Sequence, residues 1–159
     1  MKIRVGFGFD VHQLEYNHPF YIGGVKLEHH SGAFGHSDAD VLVHAICDGL
    51  LGAANLRDIG FHFSNTDERW KGISSLLLLE ETVKLLKEKG WTIGNIDAML
   101  CLEEPKINPH VPEMKVNIAR AAGISEEDIS IKATTNETMG FVGREEGVVA
   151  YAVCLIEKA

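Results

Sequence analysis

The chain has 159 residues, with fifteen Lys and Arg against twenty-three Asp and Glu, a formal net charge of −8. Such a length suits one compact domain that buries a core without disulfides or a structural metal. A composition of 45% hydrophobic and 24% charged residues excludes disordered, collagen-like and coiled-coil chains. An acidic chain without a basic stripe is a poor binder of a phosphate backbone, so nucleic acid is excluded as a partner.

At the N-terminus, Ile3, Val5, Phe7, Phe9 and Val11 alternate with Arg4, Gly6, Gly8, Asp10 and His12. This period of two predicts a strand with Asp10 and His12 on one face and the apolar set on the other. Gly6 and Gly8 leave the Asp10 face bare enough for close approach. Charge and apolar character alternate in Met1 to Val5 and no apolar h-region follows, so the expectation is a bacterial, cytoplasmic protein without leader or transit peptide. Gly23-Gly24 marks a turn between two short extended runs. A helix is predicted from Ser37 or Asp38 to about Asn55, with Asp40 in its first turn and Val41, Ala45, Leu50 and Leu51 buried. Asp40, His44 and Asp48 stack along one of its faces.

A second helix is predicted over Ile73 to Lys89, with Leu76, Leu79, Val83 and Leu86 inward and Gly90 as its stop. No apolar run approaches the ~20 residues of a membrane span, and the longest run of leucines is Leu76 to Leu79. A strand follows at Ile96 to Leu102. A third helix opens on Pro109 and Pro112 and closes at Gly123. A turn at Ser125 to Asp128 leads into a strand at Ile129 to Thr134. A nearly all-apolar strand at Gly147 to Ile156 reads as central. The expected class is α+β: one mixed sheet of about four strands packed with helices. Cys47, Cys101 and Cys154 lie in apolar stretches without C-x-x-C spacing and read as buried thiols of a reducing compartment.

Asp10 and His12 project the same way about 6.6 Å apart along a strand, a spacing that lets both close on one cation. Carboxylate and imidazole suit zinc, and a catalytic zinc takes three protein ligands and keeps one position open. His44 is the third candidate, with Asp40 or Asp48 a turn away to hold its second ring nitrogen. The plainer alternative is a chance D-x-H and a satisfied histidine. His36, between small neighbours Gly35 and Ser37, is placed to donate to a phosphate or act as an acid. Ser37 and Asp38 otherwise read as caps. Lys132-Ala133-Thr134-Thr135-Asn136-Glu137 ends a strand with hydroxyls and a carboxylate that could hold phosphate oxygens and magnesium. Alone it is equally ordinary β-strand composition. Arg144, between Gly140, Gly143 and Gly147, is either a phosphate partner or part of a solvated Arg144-Glu145-Glu146 ion-pair loop. Glu103-Glu104-Pro105-Lys106 with Asn108-Pro109 is a rigid loop with accessible amides. No dinucleotide or P-loop glycine motif occurs.

Taken together these segments resemble one family, the 2-C-methyl-D-erythritol 2,4-cyclodiphosphate synthases of the non-mevalonate isoprenoid pathway. The matching pieces are Gly8-Phe9-Asp10-Val11-His12, Ile22-Gly23-Gly24-Val25, His36-Ser37-Asp38-Ala39-Asp40 with His44-Ala45, and Leu51-Gly52-Ala53-Ala54 with Asp58-Ile59-Gly60. Later come Pro105-Lys106, Pro109-His110, Lys132 to Thr135 with Glu137, and Gly140-Phe141 with Gly143-Arg144 and Gly147.

The resemblance implies a homotrimer, with residues 1–159 as one domain and active sites between subunits. It implies zinc, or another divalent metal, on Asp10, His12 and His44. A magnesium or manganese ion would bridge Glu137 to substrate phosphates, with His36 and Thr135 as catalytic groups steadying the transferring phosphate. Contacts to the substrate, 4-diphosphocytidyl-2-C-methyl-D-erythritol 2-phosphate, would come from Asp10, Val11, His12, His36, Ser37, Asp58, Ile59, Gly60, Phe63, Ser64, Asn65, Thr66 and Asp67 around the erythritol. Leu102, Glu103, Glu104, Pro105, Lys106, Ile107, Asn108 and Ala133 would form the cytidine pocket, and Thr134, Thr135, Asn136, Glu137, Phe141 and Arg144 complete the set. Phe9, Arg144 and Glu146 would line a central cavity able to take an isoprenoid diphosphate. One departure stands at Phe63-Ser64-Asn65-Thr66-Asp67, where the family pattern is Phe-Pro-Asp-Thr-Asp. Two other readings fit the same ligand trio: a zinc hydrolase, and a trimeric binding module with a structural metal.

Overall fold

The computed structural model describes residues 2–158. Strand β1 (Ile3–Tyr16) runs through the predicted alternation and beyond it. A hairpin follows, β2 (Phe20–Ile22) and β3 (Val25–Leu27), turning at Gly23 and Gly24, which both take positive φ. The short strand β4 (Ser31–Ala33) then leads to helix α1 (Val41–Ala53). Beyond it lie α2 (Ile59–His62), α3 (Ser75–Glu88), β5 (Trp91–Cys101), α4 (Val111–Ala122), β6 (Ile129–Thr134), α5 (Gly140–Gly143) and β7 (Gly147–Lys158).

The sheet has five strands rather than four, in the order β4-β1-β7-β5-β6, and the hairpin β2-β3 is separate. Only β5 and β6 pair in parallel, so the sheet is mixed, and β7 is central as its apolar run required. The undercount came from β4, three residues containing a glycine, which carries no periodic signal. Strand β5 also begins earlier than expected, at Trp91, with a register shift between Ile93 and Asn95 that breaks the apolar alternation.

Helix α1 lies on the face carrying Gly6 and Gly8. A Cβ on Gly8 would overlap the carbonyl oxygen of Ala45, and one on Gly6 that of Gly49. Across β7 the same face presents Cys154, Ala152 and Ala150, paired with Gly6, Gly8 and Asp10. Small residues on both sides let helix and sheet backbones approach closely. The alternation is therefore inverted relative to an ordinary surface strand: the glycine face is buried, while Val5 and Phe7 are each 64% exposed. Phe9, Val11, Tyr151 and Val153 continue this uncovered apolar face.

Helix α1 starts at Val41, later than predicted. Asp40 is its N-cap, accepting from Val43 N at 3.1 Å. The fully buried Asp40 carboxylate also accepts from Gly23 N at 3.0 Å and Gly24 N at 2.7 Å, tying the hairpin turn to the helix. Burial, reinforced by the Asp38 charge, raises its pKa against those three N–H donors. On α3, Leu79, Val83 and Leu86 are buried as expected, whereas Leu76 is only half-buried and Leu78 and Thr82 complete the stripe. Helix α4 starts after Pro109, which sits in a separate 3-10 turn (Asn108–His110), and ends on left-handed Gly123.

Candidate metal centre and active site

Strand β1 delivers Asp10 and His12, and α1, packed on the same face, delivers His44 one turn from its start. The Asp10 Oδ2 atom lies 2.9 Å from His12 Nδ1 and 3.1 Å from His44 Nδ1. The imidazole rings stand 5.3 Å apart, centre to centre. The donor atoms of the three residues all fall within 4.8 Å of one another. Although close to the carboxylate, His12 Nδ1 is buried and makes no hydrogen bond. A buried, unpaired ring nitrogen aimed at two further donors fits a divalent cation, and the one-carboxylate, two-imidazole set suits zinc.

Burial would raise the Asp10 pKa, but the close approach of the His12 and His44 rings outweighs it and lowers it. Burial likewise lowers the His44 pKa, yet its bond to Asp10 raises it on balance.

Contrary to the expectation above, the second nitrogen of His44 meets neither Asp40 nor Asp48. It lies 2.8 Å from Ser75 Oγ and 3.1 Å from Ser37 Oγ, and Ser75 Oγ in turn donates to Asp38 Oδ1. Asp48 is instead occupied by Ile59 N at 2.8 Å, holding α2 against α1. Ser75 was invisible in the sequence because a serine at a helix start reads as a cap. Its contact with His44 spans 31 residues.

A cavity of about 350 Å³ opens beside the trio. Of the residues expected around the erythritol, His36, Ser37, Ile59, Gly60, Phe63 and Asn65 line it. Asn65, the departure from the family pattern, thus faces this space. Trp70 and Leu78 also line it and were not anticipated. Trp70 packs edge-on to Phe63 at 5.2 Å, and an aromatic one residue past a charged turn has no spacing signature. Asp58 does not line the cavity and caps α2 through Phe61 N. Ser64 and Thr66 bond each other at 2.8 Å, and Asp67 is gripped by the Arg69 guanidinium, which lowers its pKa. His36 Nε2 sits 3.4 Å from the Asp67 carbonyl. Val11 projects from the opposite face of β1.

A second cleft of about 150 Å³ is lined by Leu102, Glu103, Pro105, Lys106, Ile107, Asn108, Ala133, Thr134 and Thr135. Every residue expected around a cytidine lines it except Glu104, and Thr134 and Thr135, expected elsewhere on the substrate, line it as well. Beside it Glu103 Oε1 accepts from Asn136 N at 2.8 Å. Glu137 and Thr138 hold left-handed φ of 51° and 62°, unusual for residues with side chains. Glu137 is exposed, with Thr135 Oγ1 donating to its carboxylate at 3.4 Å.

The two clefts share no residue. Strands β1 and β6 are separated by β7 and β5, about 14 Å at ordinary strand spacing. On the uncovered side, Phe9 packs against Tyr151 at 5.4 Å, and Phe141 covers Gly147. Arg144 and Glu146 form a two-pronged ion pair at 3.0 Å on each prong.

Comparison with known proteins places this geometry in context. A 2-C-methyl-D-erythritol 2,4-cyclodiphosphate synthase from Cytophaga hutchinsonii is 63% identical over 158 residues, 99% of each chain. The IspF of Plasmodium falciparum, solved as a CDP complex, matches with a TM-score of 0.87 at 30% identity, covering 98% of this chain and 96% of that one. The bifunctional IspDF from Campylobacter jejuni superposes with a TM-score of 0.95 at 37% identity, and this chain spans 43% of its length. The YgbB family model matches residues 3–157, and with a convergent Asp-His-His trio at one end of the sheet and relatives alike from end to end, the chain belongs to the YgbB family.

Proposed function

We propose that residues 1–159 form one cyclodiphosphate synthase domain, a phosphorus–oxygen lyase. It cyclises 4-diphosphocytidyl-2-C-methyl-D-erythritol 2-phosphate to 2-C-methyl-D-erythritol 2,4-cyclodiphosphate and releases CMP, in the non-mevalonate route to isopentenyl diphosphate. The observation that carries this is the convergence of Asp10, His12 and His44 beside an open cavity, in a chain 63% identical to a protein of that name.

In this reaction an oxygen of the substrate's 2-phosphate attacks the β-phosphorus of its diphosphate, and the bond to the CMP oxygen breaks. Both partners are anionic and repel. Zinc on Asp10, His12 and His44, and magnesium or manganese on Glu137, would supply Lewis-acid neutralisation and alignment. The chain's own task is to fold the flexible substrate so that nucleophile and electrophile meet, a proximity effect worth several kcal/mol in well-oriented cases. His36 and Thr135 steady the transferring phosphate. Ser37, Ile59, Gly60, Phe63 and Asn65 enclose the erythritol. The second cleft holds the cytidine, with Lys106 at its rim. No protein nucleophile is required: the Ser75 hydroxyl beside His44 donates to Asp38 and serves to hold the ring.

Two clefts that share no residue within one chain support a site completed by a neighbouring copy. The exposed apolar face of β1 and β7 supports burial in a homotrimer. Phe9, Arg144 and Glu146 would then line its axial cavity, with room for an isoprenoid diphosphate. Among the described residues no helix is long and apolar enough to cross a membrane, and a cytoplasmic location is part of this reading.

The decisive experiment is ³¹P NMR of purified protein with the substrate, Zn²⁺ and Mg²⁺. The cyclic diphosphate and CMP are expected. Inorganic or linear phosphate without cyclic product would make it a hydrolase, and CDP binding without turnover a binding module. Sedimentation should give three copies per particle, and a monomer would overturn the shared site.

A further inference from the structure

We propose that His29, His30 and Glu145 form a second divalent-metal site, taking imidazole-preferring ions such as Ni²⁺ or Zn²⁺. The three donor atoms lie within 4.8 Å of one another, as at the Asp10 centre, and none of these residues belongs to that centre.

Three independent features make this more than a surface histidine pair. First, His29 Nε2 is shielded from solvent yet has no hydrogen-bond partner among the described residues. Shielded ring nitrogens are ordinarily paired, so a missing partner points to a missing ligand. Second, His30 Nε2 stands 3.9 Å from Glu145 Oε2, too far for a hydrogen bond. An ion with bonds of roughly 2.0–2.2 Å to nitrogen and oxygen spans such a gap. Third, both sides are held by backbone. The His30 carbonyl accepts from Asn17 N at 3.0 Å, and Glu145, in a left-handed conformation with φ 57°, donates its N–H to Val142 O at 3.0 Å.

Neighbouring charges agree. Glu146, the adjacent carboxylate, is engaged by Arg144, which leaves Glu145 as the anionic donor. Two imidazoles and one carboxylate favour Zn²⁺, Ni²⁺ or Cu²⁺ over Mg²⁺ or Ca²⁺. A cavity lined by Gln13, Tyr16, His30 and Glu145 leaves room for water to complete the shell.

The test uses full-length, untagged protein and calorimetric titration with Ni²⁺ and with Zn²⁺. His44→Ala, which disables the Asp10 centre, is expected to retain about one ion per chain by the three-ligand count. Adding His29→Ala should abolish that binding. In the same background Glu145→Gln, an exposed and nearly isosteric change, should weaken it at least about tenfold, the lower end of what loss of even an outer-sphere partner costs. Circular dichroism and elution volume establish that each variant is assembled. Failure of His44→Ala to bind either ion overturns the proposal, as does undiminished affinity in the Glu145→Gln protein. Because the readout is binding and not turnover, the result is independent of whether the chain is a cyclase.

Discussion

The Ser75 hydroxyl lies 2.8 Å from Nε2 of His44 and donates its own proton to Asp38. This chain of bonds has a direction. Asp38 accepts from Ser75, so the Ser75 oxygen accepts from Nε2–H of His44, and Nδ1 remains turned to Asp10 at 3.1 Å. The hydrogen-bond network, rather than an observed proton, places this proton on Nε2. Nδ1, hydrogen-bonded to Asp10, is left as the nitrogen that would give up its proton to ligate, and such outer partners orient metal-bound histidines.

Ser75→Ala should therefore lower zinc affinity about 10- to 100-fold while the fold persists, because α3 keeps its cap at Ser74. Competition against a chromophoric chelator measures it. Affinity equal to that of the parent protein would show that Ser37, 3.1 Å away, suffices.

His44→Ala removes a ligand outright. Zinc content at the Asp10 centre and cyclase activity should both fall to background with helical content retained, since the core does not depend on His44. Metal analysis after dialysis, read in a His29→Ala background to separate the second proposed site, decides this. Unchanged zinc would refute the assignment.

Lys106 is exposed at the rim of the second cleft, within 3.3 Å of the Glu103 carbonyl and 3.5 Å of Glu104. Lys106→Ala should weaken CDP binding by several-fold and leave zinc affinity unaltered, because the two clefts share no residue. Parallel titrations with CDP and with zinc compare the two effects, and equal CDP affinity would remove Lys106 from the pocket.

The helix–sheet contact makes a paired prediction. Gly8→Ala drives a methyl into the Ala45 backbone, where nothing flexible yields, and should destabilise by about 3 kcal/mol or more. Gly52→Ala, on the exposed side of α1 with nothing within 4 Å, should be neutral or stabilise by up to about 1 kcal/mol. Urea unfolding at one fixed protein concentration compares them.

The thiols are protected by burial. Within α1 and β7, burial pushes Cys47 up to about 12 and Cys154 higher still, so neither forms thiolate near neutral pH. Cys101 is only partly covered. Native protein should react with a thiol reagent at Cys101 alone, and all three cysteines should react in denaturant. Rapid native labelling of Cys47, seen by peptide mass mapping, would contradict the burial.

Much of this molecule was readable from spacing. Period two over Ile3 to His12 located β1 and put Asp10 and His12 together. The apolar run at Gly147 announced a central strand, and Gly90 and Gly123 announced helix ends. What failed was local and short. Strand β4 and helices α2 and α5 have three or four residues each, too few for a period to show. The start of α1 was misplaced because Ser37, Asp38 and Asp40 are all competent caps, and only contact with the Gly23-Gly24 turn selects Asp40.

By itself the order of residues determined which side chains share a face, since that follows from backbone geometry within one element. It therefore specified the Asp10–His12 pair and nominated His44. The fold decided what each face meets. Glycines at 6 and 8 announced a close approach without saying by what, and the fold lays Ala45, Gly49 and Ala53 of α1 on them; the apolar side of β1 had no assigned partner, and the sheet leaves it exposed. Partners such as Ser75 and Glu145 emerge only when distant segments meet, because a hydrogen bond or a shared cation is a relation in space that chain separation does not encode.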